Sequence, residues 1–163
     1  MTRRLTQLAI PRLGIRPHHH LLEIGCGSGT AVAAVADLLT TGSILAIDRS
    51  AVTRATQRNA EHIARGTARI VQGDLSRLEL PARGFHTVFA LNVNMFQTGD
   101  AVDVVRRALR RHGRLVLGYT RPDTRQLAER ARQISATLHA GGLGEPTVDW
   151  ADPHHVYVTA TRT

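Results

Sequence analysis

Apolar residues in this chain fall in short runs that alternate with longer patterns of helical period. Leu21-Leu22-Glu23-Ile24 stops at a glycine, as a buried strand does. Thr30 to Leu39 is rich in Ala, Val and Leu, has no breaker before Gly42, and reads as a helix with its C-cap. Ile44 to Ile47 is a second strand. Ser50 can cap a helix from Ala51 to about Ala64, closed by Gly66. Ala68 to Val71 and Thr87 to Leu91 are the third and fourth strands. Asp100 can cap a helix with Val102, Val105 and Leu109 on one face, ended by Gly113. Leu115 to Leu117 is a fifth strand, and Thr124 to Ala140 a helix ended by Gly141-Gly142. Thr147 to Trp150 and Val156 to Thr161 flank an Asp152-Pro153 turn and should pair as an antiparallel hairpin. Strands alternating with helices imply a parallel α/β sheet covered on both faces. Ligands in such sheets bind beyond the carboxyl ends of the strands, where the strand order reverses.

Those ends carry the chemistry. Glu23-Ile24-Gly25-Cys26-Gly27-Ser28-Gly29 joins the first strand to a helix. Alternate glycines allow a sharp turn and a close approach of backbone to ligand. The helix start behind them offers free N–H groups and a positive dipole end. Asp48 ends the second strand, where an acid can accept from both hydroxyls of a ribose or act as a plain capping acid. Asp74 follows Gly73 at the end of the third strand. It could hold the amino group of an adenine or make a turn.

Taken in order, LLEIGCGSG, ILAIDRS, VQGD, the Asn-bearing FALNVNMF and GRLVL resemble the class I S-adenosylmethionine-dependent methyltransferases from Leu21 to Arg162. The resemblance implies a Rossmann-like, doubly wound, seven-stranded and mostly parallel sheet with a C-terminal antiparallel hairpin. It implies one domain over residues 1–163, with 1–20 as an N-terminal helix and lead-in and 21–163 as the cofactor-binding core. S-adenosylmethionine is the implied cofactor. Glu23 and the backbone of Gly25, Cys26, Gly27, Ser28 and Gly29 would hold its methionine part. Asp48 would bind the ribose, with Arg49 flanking the adenine. Asp74 and Leu75 would contact the adenine. Asn92 would lie beside the sulfonium, with Val93 and Asn94 facing the substrate.

The chain departs from that family in three places. His86 stands where an acid often precedes the fourth strand. Only about 20 residues precede the first strand, enough for one short helix over Thr2 to Leu13. The substrate pocket is then open, or completed by a second subunit in a dimer. Asn92-Val93-Asn94-Met95 lacks the Asn/Asp-Pro-Pro-aromatic motif of DNA amino-group methylation. The only thiol, Cys26, lies in the cofactor loop, so pyrimidine-carbon methylation has no nucleophile.

Composition narrows the partners. The 163 residues are 42% hydrophobic and 21% charged, as in an ordinary globule. One cysteine excludes an internal disulfide, and no apolar run is long enough for a membrane helix, so the cytoplasm is the expected address. The net charge of +8 and pI near 11.4 suggest a polyanion. Yet all 21 basic residues are Arg and none is Lys, as a coding bias would produce. A small molecule is therefore the first choice of acceptor and RNA the second.

No catalytic residue follows from the motifs, and no zinc-like spacing or carboxylate cluster marks a metal site. His18, His19 and His20 precede the first strand, at the wrong end of the sheet, and read as an exposed turn. His154 and His155 read as solvated at the hairpin turn, and His112 as a dipole partner at a helix end. Tyr119 is on the correct edge and reads chiefly as packing; Trp150 and Phe96 read as core or pocket wall. Two rivals stand beside the methyltransferase. A nicotinamide oxidoreductase would need glycine where Thr30 stands. The other is a protein that binds S-adenosylmethionine without turnover.

Overall fold

A computed structural model describes residues 2–50 and 52–163. One seven-stranded sheet runs through it in the order β3-β2-β1-β4-β5-β7-β6. The strands are β1 His20–Ile24, β2 Ser43–Asp48, β3 Ala68–Gln72, β4 Phe85–Leu91, β5 Leu109–Thr120, β6 Thr147–Asp152 and β7 His155–Thr161. The first five are parallel, and β7 runs antiparallel between β5 and β6. The doubly wound sheet with its terminal hairpin is therefore the one expected from the sequence.

The helices are α1 Thr2–Leu13, α2 Thr30–Ala36, α3 Thr53–Arg58, α4 Ala60–Ala64, α5 Asp100–Ala108 and α6 Thr124–Ala140. Each face of the sheet buries its own core. On one, Leu22, Val88, Leu115 and Val158 pack against Val102 and Val105 of α5 and Leu127 and Ile134 of α6. On the other, Leu21, Phe89, Val116 and Tyr157 pack against Leu5 and Leu13 of α1 and Val32 and Val35 of α2. Each such aliphatic side chain contributes roughly 1.5–3 kcal/mol when fully buried. The Tyr157 hydroxyl donates to the Leu5 carbonyl at 2.7 Å, which ties α1 to the far side of the sheet.

Several local expectations are corrected. The helix after β2 starts at Thr53 with Val52 as its N-cap and no side-chain cap, and the Ser50 N–H donates to Asp48 Oδ1 at 2.8 Å. The expected start at Ala51 lies outside the described residues. That helix also breaks at Asn59, whose buried side-chain amide donates to the Ala55 carbonyl and to the Gly29 carbonyl, at 2.9 and 3.0 Å. A side chain that competes for the carbonyl four residues back loosens a helix. Helix α2 stops at Ala36, and Leu38 and Leu39 tighten the exit with bonds to Val35 and Ala36.

Gly99, not Asp100, is the N-cap of α5. Leu109 belongs to β5 rather than to the helical face, and Gly113 lies inside that strand. A third segment explains the early stop: Arg162 Nη1 donates to the carbonyls of Arg106, Arg107 and Leu109 and so caps the end of α5. Trp150 is neither core nor pocket wall; it is 39% exposed on the edge strand. His155 is buried rather than solvated, its Nδ1 2.7 Å from Asp152 Oδ1.

Gly29 and Gly66 share a left-handed backbone, at φ +74° and +77°, but differ in surroundings. A Cβ on Gly29 would sit 2.5 Å from Asn59 Nδ2 and 3.0 Å from the Ala55 backbone, whereas one on Gly66 would meet nothing within 4 Å. Gly66→Ala should cost about 1–2 kcal/mol in urea unfolding, the left-handed penalty alone. Gly29→Ala should cost about 1–3 kcal/mol more, from overpacking. Equal losses would mean that the Gly29–Asn59 contact does not constrain the fold.

Candidate active site

The strand order reverses between β1 and β4, and the loops after those strands face each other there. Gly25 approaches the β4 exit so closely that a Cβ would lie 2.6 Å from Val93 Cγ2. The loop is also tied sideways. The N–H groups of Gly25 and Cys26 both donate to the Ile47 carbonyl, at 2.8 and 3.2 Å. The Gly27 N–H donates to Asp48 Oδ2 at 2.8 Å. One Asp48 carboxylate thus joins the loop after β1 to the loop after β2.

These loops enclose a cavity of about 620 Å³. Gly25, Asp48, Arg49, Leu75, Asn92, Val93 and Asn94 all line it, so seven of the residues given a cofactor or substrate role from sequence meet at one place. Cys26 is buried beside it, and burial, with Glu23 and Asp48 nearby, pushes its thiol up to about 12. Asp74 is absent from the cavity wall. Its Oδ1 accepts from the N–H and hydroxyl of Ser76, at 2.9 and 2.7 Å, and caps the 3-10 turn Leu75–Arg77. Its neighbours Gly73 and Leu75 do line the cavity.

Glu23 is the least expected group. It is 3% exposed, and its Oε2 has no hydrogen-bond partner among the described residues. Burial, and secondarily the Asp48 carboxylate, push its carboxyl up to about 8. A buried acceptor without a donor is costly. A ligand ammonium would supply both the missing donor and the opposite charge.

The opposite wall comes from the exit of β4. Asn92 is left-handed at φ +58°, and its Oδ1 accepts from the Thr120 N–H at 2.9 Å. The Tyr119 hydroxyl donates to the Val93 carbonyl at 3.0 Å, and burial raises its pKa further above the ordinary phenol value. Arg130 lies over the Tyr119 ring, 5.3 Å from its centroid, and donates to Asn94 Oδ1 at 2.7 Å. Sequence reasoning missed Arg130, because its contact with Asn94 joins α6 to a loop 36 residues away. It also missed Gln97 and Thr98, which line the cavity from the 3-10 turn Met95–Gln97 and its exit and carry no motif.

Asp48 and Arg49 are the only ionisable side chains on the wall of this cavity among the described residues. No histidine lines it. His18, His19 and His86 gather instead at the amino end of β1 and β4, with ring nitrogens within 4.8 Å of one another. The segment 18–20 is thus not a wholly exposed turn: His19 is partly buried and stacks on His86, 4.2 Å between centroids.

Solved structures share this fold. The fold matches a SAM-dependent methyltransferase from Aquifex aeolicus at 13% identity, over 97% of this chain and 89% of that one, with a TM-score of 0.82. It matches the geranyl diphosphate C-methyltransferase from Streptomyces coelicolor A3(2) at 14% identity, over 99% and 79% of the two chains, with a TM-score of 0.78. The [4+2]-cyclase SpnF is also similar, at 18% identity over 98% and 81%, with a TM-score of 0.78. At such identities the likeness concerns the fold. No curated protein matches the sequence. No helix among the described residues is long and apolar enough to cross a membrane. The family model described as "Methyltransferase domain" matches residues 21–113, more than half of the sequence and all of the site's first three crossovers. The chain belongs to that family, the class I methyltransferases whose cofactor is S-adenosylmethionine.

Proposed function

We propose that this chain transfers a methyl group from S-adenosylmethionine to a small molecule that enters beside Asn94, Gln97 and Arg130. The cavity carries this reading: Gly25 at the start of the glycine loop, the ribose-type acid Asp48 and Asn92 converge on it at the point where the strand order reverses. Behind Ile24 and Gly25 of the cavity wall, the buried and unpartnered Glu23 Oε2 fits a cofactor that brings an ammonium group. In this assignment Glu23 and the Gly25–Gly29 backbone hold the methionine part. Asp48 accepts from the ribose hydroxyls, Arg49 and Leu75 flank the adenine, and Asn92 borders the sulfonium. Asp74 would reach the adenine only through its second oxygen, since the first is committed to Ser76.

The bound cofactor supplies a methyl group already activated by positive sulfur. The protein's task is to align the acceptor behind it at about 3–3.5 Å and to exclude water. Asn94, held by Arg130, and the backbone at Val93, held by Tyr119, form a braced wall for that purpose. Tyr119 keeps its proton and does not serve as a base. With no histidine on the wall, the reading favours an acceptor that arrives with a free lone pair, such as a neutral amine, over an alcohol that needs a general base. A geranyl diphosphate methyltransferase among the structural neighbours supports a small acceptor over RNA. The same lack of a base favours one second reading, binding without turnover. Incubation with methyl-labelled cofactor and a panel of amines separates the two: transfer of label supports the enzyme, and tight binding without transfer supports the binder.

Asp48→Ala should weaken S-adenosylhomocysteine binding at least tenfold, or about 1.4 kcal/mol, in calorimetry. It removes both the ribose acceptor and the anchor of the Gly27 N–H. Unchanged affinity would reject the ribose assignment.

Glu23 makes the second prediction. Its pKa is raised in the fold, from 4.5 to about 8, so the folded state keeps a proton that the unfolded chain releases. The stabilisation is complete below about pH 4.5 and is lost as pH rises through about 8. Ligand-free wild type should therefore lose Tm relative to Glu23→Gln by roughly 5 °C or more between pH 5 and pH 8.5. Saturating S-adenosylhomocysteine should shrink that gap, while Glu23→Gln binds it more weakly. Parallel Tm curves would reject the buried, protonated carboxyl.

A further inference from the structure

At the amino end of the sheet lies a second cavity, of about 640 Å³, which plays no part in the reading above. It forms where the 14–19 loop leading into β1 meets the start of β4 and the irregular first half of β5. β1 spans the distance between the two cavities: His20 begins it at this end and Ile24 ends it in the cofactor cleft, about 13 Å apart by strand rise.

The charge in this cavity is one-sided. Arg16, Arg110, Arg111 and Arg114 line it, and no carboxylate does. None of these four guanidiniums pairs with an acid within 4.0 Å among the described residues, although five other arginines do. Gly14, left-handed at φ +60°, keeps the space beside Arg114 open; a Cβ there would lie 2.8 Å from its Nη1. His18, His19 and His86 complete the wall.

His86 gives the independent sign of a missing acceptor. Its Nδ1 faces the His20 backbone N–H at 3.0 Å, and its Nε2 faces the Arg110 guanidinium. A neutral imidazole has one acceptor nitrogen, and here both nitrogens face donors. One donor is therefore opposed by another, an arrangement that an anionic oxygen would resolve. Burial and the surrounding cations hold the His86 imidazolium down to about 4 and lower His19 as well. The three imidazoles have the spacing of a metal site. Four guanidiniums oppose a cation, however, and neither nitrogen of His86 is free for one.

We propose that this cavity binds a small phosphorylated anion carrying two or more negative charges, at the end of the sheet opposite the cofactor cleft. Guanidinium forks match phosphate oxygens in pairs. The volume lies in the range of small-ligand pockets, about 300–1,000 Å³. The cations converge on one concavity instead of tracking along a stripe, which favours a compact ligand over a polynucleotide backbone. The inference does not depend on the methyl-transfer reading.

Calorimetry on the full chain in 0.15 M salt, with orthophosphate, ribose 5-phosphate, pyrophosphate and tripolyphosphate, tests it. Tripolyphosphate should bind, and Arg110→Gln/Arg111→Gln, both exposed positions, should weaken it at least tenfold. Arg54→Gln/Arg132→Gln, which removes the same charge elsewhere, should change it less than twofold. S-adenosylhomocysteine affinity should be unaffected by either pair, so this result stands apart from the fate of the cofactor site. Ribose 5-phosphate binding above orthophosphate would identify a sugar phosphate as the source, and the reverse an inorganic polyanion; both support the site. In NMR, tripolyphosphate should raise the pKa of His86. Four results would overturn the proposal: no tripolyphosphate binding at millimolar concentration, equal weakening by the two arginine pairs, zinc binding at the three histidines without anion binding, or an RNA 12-mer that outcompetes tripolyphosphate.

Discussion

Three consecutive loop amides tied to the end of a neighbouring strand hold this site together. Gly25 and Cys26 donate to the Ile47 carbonyl, and Gly27 donates to the Asp48 carboxylate. A glycine-rich turn loses more conformational entropy on ordering than any other segment of its length. Bonds to β2 offset that loss only because β1 and β2 lie in parallel register, with Ile24 opposite Ile47. The same register brings Glu23 near Asp48, and that proximity together with burial keeps the Glu23 proton in place. Loop geometry and the unusual acidity of the site thus follow from one strand pairing.

The two ends of the sheet differ in charge: the wall of the cofactor cleft has one acid, Asp48, and one base, Arg49. At the carboxyl ends, two carboxyl groups lie close together, one of them buried with an unpaired oxygen. At the amino ends, four guanidiniums gather without any carboxylate. The +8 charge of the chain is therefore not spread evenly over its surface. A bias toward Arg over Lys explains why every cation here is a guanidinium. It does not explain why four of them share a cavity with three histidines, since that placement comes from a loop and two strands distant in sequence.

Packing sets the chemistry available to the cofactor cleft. Tyr119 could look like a base from its place after β5, yet it is fully buried and spends its hydroxyl on the Val93 carbonyl. Arg130 stacks on its ring and holds Asn94. These contacts make the acceptor wall rigid and leave it without a proton acceptor of its own. Such a wall suits a reaction in which alignment supplies most of the catalysis.

The sequence by itself determined the strands, the glycine loop, Asp48 and the class of fold. Each of these is written in adjacent residues: apolar runs of strand length, a turn that only glycine permits, an acid at a strand's end. Tertiary structure alone decided the rest. Asn59 loosens a helix because its side-chain amide, shared with the Gly29 carbonyl 30 residues away, also competes for the Ala55 carbonyl. Leu109 leaves α5 because Arg162, just past the end of β7, caps the helix. Asp74 turns from the cavity toward Ser76, and His19 meets His86 only when β1 and β4 pair. Periodicity records which face of an element is buried. It carries no information about which distant donor, acceptor or charge that element will meet, because parallel pairing joins segments with no local signal for each other.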